Sequence, residues 1–152
     1  KNRKSKVQSW FLDLNLIMSY WDGSGGRAYH HTAPINNLYG LHEALIILFE
    51  EGLEKSWERH YKNHIILRNG LADIGIDFLV NEEDRLPQLN TIIIPDGVND
   101  ADTRSKLLNE FNLEIGAGLG TLAGKVWRIG LMGHSSNEKN INHCINSIKT
   151  VI

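Results

Sequence analysis

Apolar side chains fill most positions from Trp10 to Trp21, which predicts a largely buried helix, and Asp22-Gly23-Ser24-Gly25-Gly26 breaks it. Tyr29-His30-His31-Thr32-Ala33-Pro34 then reads as a polar, aromatic loop, because Pro34 keeps Ala33 out of the helical region. A helix follows from near Ile35. Its Leu41, Ala44, Leu45, Leu48 and Phe49 recur at amphipathic spacing, and Gly52 marks an end or a bend. Leu53, Trp57, Tyr61, Ile65, Leu71 and Ala72 continue at helical spacing to Gly75, giving a helix long enough to bridge two domains.

Beyond Gly75 the period changes. Ile76 to Val80 and Thr91 to Pro95 read as strands, separated by an acidic turn to Pro87. Asn99 with Asp102 opens a helix near Ala101 to Phe111, after which Leu113-Glu114-Ile115 and Val126 to Met132 read as two further strands. Ser135 and Glu138 have the spacing of a capping box for a last helix, on which Ile141, Cys144, Ile145, Ile148 and Ile152 share a face. The expected architecture is α/β, in α+β form: a helical N-terminal part, a long connector helix, then a largely antiparallel sheet with helices on one side. There is no internal repeat and no low-complexity segment.

Composition narrows the class. The 152 residues are 41% apolar and 22% charged, enough for a real core. A net charge of −2 gives no general pull toward nucleic acid, and Lys1, Arg3, Lys4 and Lys6 read as a solvated basic cluster. The single cysteine leaves no internal disulfide, and no run of 18 uncharged apolar residues suggests a membrane span. A cytoplasmic setting is the expectation. The chain opens on Lys1-Asn2-Arg3 rather than Met, which suggests a piece of something longer.

One charge stands out. Arg128 lies among Val126, Trp127, Ile129 and Leu131, directly after the glycine-rich segment Gly116 to Gly124. A guanidinium keeps its charge, so among apolar neighbours it calls for a planar anionic partner. Two partners stay open: an internal Asp or Glu, or the carboxylate of a ligand.

Other motifs carry less. Gly116, Gly118 and Gly120 precede a strand, whereas a dinucleotide loop opens a helix. Gly124-Lys125 is followed by Val126, where a P-loop needs Ser or Thr. His60 and His64 sit one helical turn apart without a third ligand, and read as a surface or interface pair. His30 and His31 make a weak metal site, since adjacent side chains on an extended loop diverge. Gly133-His134-Ser135-Ser136 is no nucleophile elbow, and Cys144 reads as inert core. No metal site is expected. Tyr29 and Thr32 place two hydroxyls on one short loop, where they either donate to a single phosphate or serve as ordinary turn residues.

Taken together, Trp10-Phe11-Leu12-Asp13-Leu14, Tyr29-His30-His31-Thr32-Ala33-Pro34 with Glu43-Ala44-Leu45, and Gly118-Leu119-Gly120 with Gly124-Lys125-Val126-Trp127-Arg128-Ile129-Gly130 resemble a known family. It is the C-terminal part of class V pyridoxal-phosphate aminotransferases, nearest the alanine–glyoxylate (serine–pyruvate) aminotransferase group. The resemblance covers nearly the whole chain. It implies a fold type I homodimer, with residues 1–52 as the last part of the large cofactor domain, 53–75 as the connector helix and 76–152 as the small domain. It also implies that Tyr29 and Thr32 reach the cofactor phosphate of the partner subunit, and that Arg128 clamps the substrate carboxylate.

The implied reaction moves an amino group from alanine or serine to glyoxylate or another 2-oxo acid, with pyridoxal 5'-phosphate as cofactor and small-molecule amino and 2-oxo acids as partners. The family's Schiff-base lysine stands in a Ser-x-x-Lys setting upstream of the motifs quoted above. Of the nine lysines here, at 1, 4, 6, 55, 62, 106, 125, 139 and 149, only Lys139 follows a serine at that spacing, Ser136, and it comes after all of those motifs, at the start of the expected last helix. The aspartate and aromatic that serve the cofactor ring are likewise expected upstream of Lys1. The expectation is therefore a C-terminal fragment, or one half of a split gene, that does not transaminate alone and carries no catalytic residue of its own. Cysteine desulfurases share the fold but need a cysteine on a mobile loop, which Cys144 on a helix face does not match. The alternative is a non-catalytic interaction or dimerisation domain derived from the same fold.

Overall fold

The computed structural model describes residues 3–22, 26 and 28–152. Gly23, Ser24 and Gly25 of the expected glycine break, and Lys1 of the basic cluster, lie outside the described residues. The chain divides into two compact units, Lys1–Ile47 and Leu48–Ile152.

In the first unit, residues 10–13 form a turn rather than helix, closed by the Asp13 N–H donating to the Trp10 carbonyl. The Asp13 carboxylate accepts from the Asn15 N–H at 3.0 Å, and helix α1 (Leu14–Asp22) starts there. The expectation of a largely buried helix fails, since α1 has no buried residue and Trp21 is 72% exposed. Apolar content alone cannot tell a core helix from one with an uncovered face. Helix α2 (Ile35–Glu51) begins after Pro34 as expected, but its apolar stripe is likewise uncovered: Leu41, Leu45 and Phe49 are exposed. Gly52, at φ +83°, ends it.

In the second unit, helix α3 (Leu53–Ala72) forms as the helical spacing predicts, but of the apolar residues at that spacing only part is interior. Leu53, Trp57 and Tyr61 are exposed, whereas Ser56, His60, Asn63, His64, Leu67 and Leu71 are buried. The upper half of the buried face is polar, and its groups find partners from distant parts of the chain. The helix stops as expected near Gly75, whose φ of +77° lets the Ile76 N–H return to the Leu71 carbonyl.

Three antiparallel strands follow in spatial order β1–β3–β2: β1 (Leu89–Ile93), β2 (Gly116–Ala117) and β3 (Val126–Gly130). The segment Ile76–Val80 is not a strand but makes one bridge, Phe78 to Ile92, and two backbone hydrogen bonds to β1. Likewise Leu113-Glu114-Ile115 is not a strand, and β2 begins one residue later. Helix α4 (Asp100–Phe111) is capped by Asn99, which accepts from the Asp102 N–H at 3.0 Å. Helix α5 (Glu138–Val151) is capped by Asn137 accepting from the Asn140 N–H at 2.9 Å, so the expected Ser135–Glu138 capping box does not form. Ser135 sits one turn earlier, in the 3-10 turn Gly133–Ser135.

Register then decides what the sheet presents. Ile92 pairs with Trp127 and Asn90 with Ile129, and this face packs with Leu67 and Leu71 of α3, Leu107 of α4, and Ile141, Cys144 and Ile148 of α5. On the other face Arg128 stands between Thr91 and Gly116. Side chains alternate along a strand, so burying Trp127 and Ile129 under the helices turns Arg128 away from them. The expected mixed α/β fold with an antiparallel sheet is the one observed.

Candidate functional site

Arg128 is half-buried on the face of the sheet opposite α3, α4 and α5. Its Nε donates to the Ala117 carbonyl at 2.8 Å, which fixes the side chain along β2. The two terminal nitrogens have no hydrogen-bond partner among the described residues and reach solvent. No described carboxylate lies within 4 Å of the guanidinium, although four ion pairs occur among the described residues, including Arg59–Glu51 and Arg104–Asp100. Of the two partners left open by the sequence, the internal carboxylate is therefore absent among the described residues.

Gly116 is part of this arrangement. A Cβ built on it would lie 3.3 Å from Nη2 and 3.4 Å from Nε of Arg128, so the missing side chain leaves the guanidinium its place over the strand. Gly118 is needed for closeness of another kind. A Cβ there would meet the Leu122 carbonyl oxygen at 2.0 Å, an impossible contact, so the turn into β3 closes only over glycine. Behind the sheet, the Trp127 indole donates to Asp100 at 2.9 Å, and Arg104 donates to the same carboxylate at 2.7 Å. The Arg104 hydrogen bond, reinforced by that of the Trp127 indole, holds the Asp100 carboxyl below its usual range.

Tyr29 and Thr32 are brought together. Their hydroxyls are in hydrogen-bond contact on the loop before α2, and both residues are exposed. Two rotatable hydroxyls that meet at an open surface form a donor set that fits a phosphate. The adjacent histidines do not diverge as expected: Nδ1 of His30 lies 2.7 Å from Nδ1 of His31, and His30 is buried with its ring stacked on Trp10. Tyr29 and Thr32 belong to the first unit, Arg128 to the second.

His60 and His64 are not a surface pair. His60 donates from Nδ1 to the Ser56 carbonyl at 2.6 Å and accepts from the Gly133 N–H at 3.0 Å, while His64 Nδ1 meets the Asn90 side-chain oxygen at 2.6 Å. Arg59 grips both oxygens of Glu51 and donates to the carbonyls of Gly133 and Ser136, and Asn63 donates to the Ser136 hydroxyl. Hydrogen bonding from Arg59 draws the Glu51 carboxyl below its ordinary range. This network ties α3 to the turn that follows β3. Sequence reasoning missed it because the only local signal, polar residues on one face of α3, reads as a solvated surface.

Among the described residues no group of three or more His, Cys, Asp or Glu could hold a metal ion. Burial pushes the Cys144 thiol up to about 12, in keeping with inert core. No helix among the described residues is long and apolar enough to cross a membrane.

No family model matches the chain. Individual proteins do. Alanine–glyoxylate aminotransferase of Rattus norvegicus is 37% identical over 153 residues, an alignment that covers 99% of this chain and 37% of that protein. The (S)-ureidoglycine–glyoxylate transaminase of Bacillus subtilis (strain 168) is 34% identical over 96% of this chain and 35% of its own length. Among solved structures, alanine–glyoxylate aminotransferase from Nostoc sp. superposes with a TM-score of 0.89 at 50% identity, covering 99% of this chain and 39% of that one. The chain thus spans little more than a third of the length of the relatives it matches. By sequence and by fold, its homologues and structural neighbours are alanine–glyoxylate aminotransferases and related class V pyridoxal-phosphate aminotransferases, and it corresponds to a C-terminal portion of them.

Proposed function

We propose that this chain supplies the C-terminal part of a pyridoxal-phosphate-dependent transaminase, which passes an amino group from alanine or serine to glyoxylate or a related 2-oxo acid. The observation that carries the reading is Arg128. Its Nε is committed to Ala117, its terminal nitrogens have no described partner, and Gly116 keeps the space beside it open. A carboxylate that meets the two terminal nitrogens side by side is held in one orientation, which is what an α-amino or α-oxo acid needs if its α-carbon is to face a fixed reaction centre. Both substrate classes carry that carboxylate, so one arginine serves both halves of the exchange.

Tyr29 and Thr32 would hold the phosphate of pyridoxal phosphate with their hydroxyls, across a homodimer interface. When bound there, the cofactor supplies the electron sink for the chemistry at the α-carbon. In this reading the lysine that carries the proton at that carbon comes from outside this chain, as do the groups that serve the cofactor ring. In this reading residues 1–52 complete the large domain, 53–75 connect, and 76–152 form the small domain that brings Arg128.

The test is reduction with borohydride after mixing the chain with pyridoxal phosphate. No single lysine should be labelled and no alanine–glyoxylate exchange should follow. Specific labelling of one lysine with turnover would refute the division of labour. The second reading, a non-catalytic interaction domain, draws on the exposure of Trp10, Phe11 and Trp21, at 57%, 54% and 72%. Concentration-dependent self-association in sedimentation would favour it, provided no open reading frame with Ser-x-x-Lys precedes the coding region.

A further inference from the structure

In the first unit, His30 and His31 are used by none of the steps above, yet their bonding is tightly determined. His30 is buried, with its ring 4.0 Å from that of Trp10 and 13° from parallel to it. Its Nε2 lies 3.1 Å from the Trp10 carbonyl oxygen. A carbonyl only accepts, so Nε2 carries the proton. In neutral His30 the other nitrogen, Nδ1, is then an acceptor, and its partner 2.7 Å away, Nδ1 of His31, must be the donor. One backbone carbonyl in the Trp10–Asp13 turn thereby sets the tautomers of both rings. The His31 ring is flanked by Phe11 at 4.9 Å and Tyr20 at 6.4 Å, and Tyr20 meets Tyr29 edge-on at 6.0 Å.

Residues 28–34 have no helical or strand ladder to hold them, and Tyr29 is 70% exposed. What fixes the loop is this relay of rings. We infer that His30 and His31 are positioning residues for the Tyr29–Thr32 hydroxyl pair: His30 ties the loop to the Trp10–Asp13 turn through its Nε2–H bond to the Trp10 carbonyl, and the N–H to N bond from His31 to His30 carries that anchorage along the loop, so that both hydroxyls are presented together to a phosphate. The inference rests on the phosphate reading of those two hydroxyls. Neither histidine touches the phosphate in this arrangement; each acts through the loop.

The first measurement is imidazole nitrogen NMR on this chain at a pH above the histidine titration range. His31 should be protonated on Nδ1 and bare on Nε2, His30 the reverse, with a scalar coupling between the two Nδ1 atoms. Finding both rings protonated on Nε2 overturns the proposal, because no donor would remain for the contact. The second uses the complete polypeptide that contains this chain and compares its affinity for pyridoxal phosphate with that for pyridoxal, which lacks the phosphate. Tyr29→Phe and His31→Leu should each reduce the preference for the phosphorylated ligand by about tenfold, the usual weight of one hydrogen bond to a charged group. His31→Asn, which keeps an N–H donor near the Nδ1 position, should restore most of it. If Tyr29→Phe changes nothing, the phosphate reading falls and the inference with it. If Tyr29→Phe acts and His31→Leu does not, or lowers affinity for both ligands equally, only the positioning role is overturned.

Discussion

Gly70 lies in the last turns of α3, where that helix crosses α5, and it tests whether their packing has been read correctly. A Cβ built on it would lie 2.4 Å from Cδ1 of Ile145, 3.1 Å from Cγ1 and 3.3 Å from Cγ2. Rotating the terminal methyl away relieves the first contact only, so the whole side chain must move. Replacing a helical glycine by alanine ordinarily stabilises by about 0.5–1 kcal/mol. Overpacking of this kind costs about 1–3 kcal/mol. Gly70→Ala should therefore destabilise the chain, by about 1 kcal/mol. In an Ile145→Ala background all three close atoms are gone, and the same substitution should stabilise by about 0.5–1 kcal/mol. The sign reverses, with a coupling of about 2 kcal/mol between the sites. Urea unfolding of the four proteins, read as shifts in midpoint at constant slope, measures this. If Gly70→Ala stabilises equally in both backgrounds, the close approach of α3 and α5 is wrong.

Three further outcomes are expected. On the proposed transaminase reading, Arg128→Lys in the assembled enzyme should raise the apparent KM for donor and acceptor far more than it lowers kcat, because an ammonium cannot reproduce the two-pronged contact; unchanged steady-state kinetics would remove Arg128 from the carboxylate role. Asp100 is held below its ordinary pKa by Arg104 and Trp127, so its contribution is present above the unfolded value of about 4 and is lost as pH falls through the lowered folded value. Unfolding free energies of wild type and Asp100→Asn should accordingly differ by up to about 1 kcal/mol at pH 7 and converge as the pH falls below the lowered folded value; a gap that persists after the carboxyl is protonated would contradict the ion-pair account. Finally, Cys144, with its thiol at about 12, should resist a disulfide reagent at pH 8 in the native chain and react fully in urea. Rapid labelling of the folded protein would mean that α5 is not packed as described.

Much of the second unit was legible from local chemistry. The cap at Asn99, the stop at Gly75 and the buried Ile141, Cys144 and Ile148 of α5 follow from hydrogen-bonding groups and spacing within one or two turns. The cap of α5 was misread by two residues because Ser135 and Asn137 are equally able to accept from a helix N–H, and the 3-10 turn before the helix selects Asn137. The polar part of the buried face of α3 was not legible, for a deeper reason. His60, Asn63 and His64 are acceptable in the interior only because Gly133, Ser136 and Asn90 meet them, from 73, 73 and 26 residues away along the chain. No local pattern encodes that satisfaction, so nothing nearby in the sequence marks these polar residues as interior and Trp57 and Tyr61 as exposed.

The candidate site divides in the same way. Residue types alone determined that Arg128 would need an anion and that Tyr29 and Thr32 offer two hydroxyls, since charge and donor chemistry belong to the side chain itself. Only the tertiary structure decided that no described carboxylate answers Arg128, that the two hydroxyls meet, and that His30 and His31 converge on one hydrogen bond. A side chain's need for a partner is intrinsic to it. Which partner it finds depends on register, on the face each strand residue presents, and on where distant backbone groups come to rest.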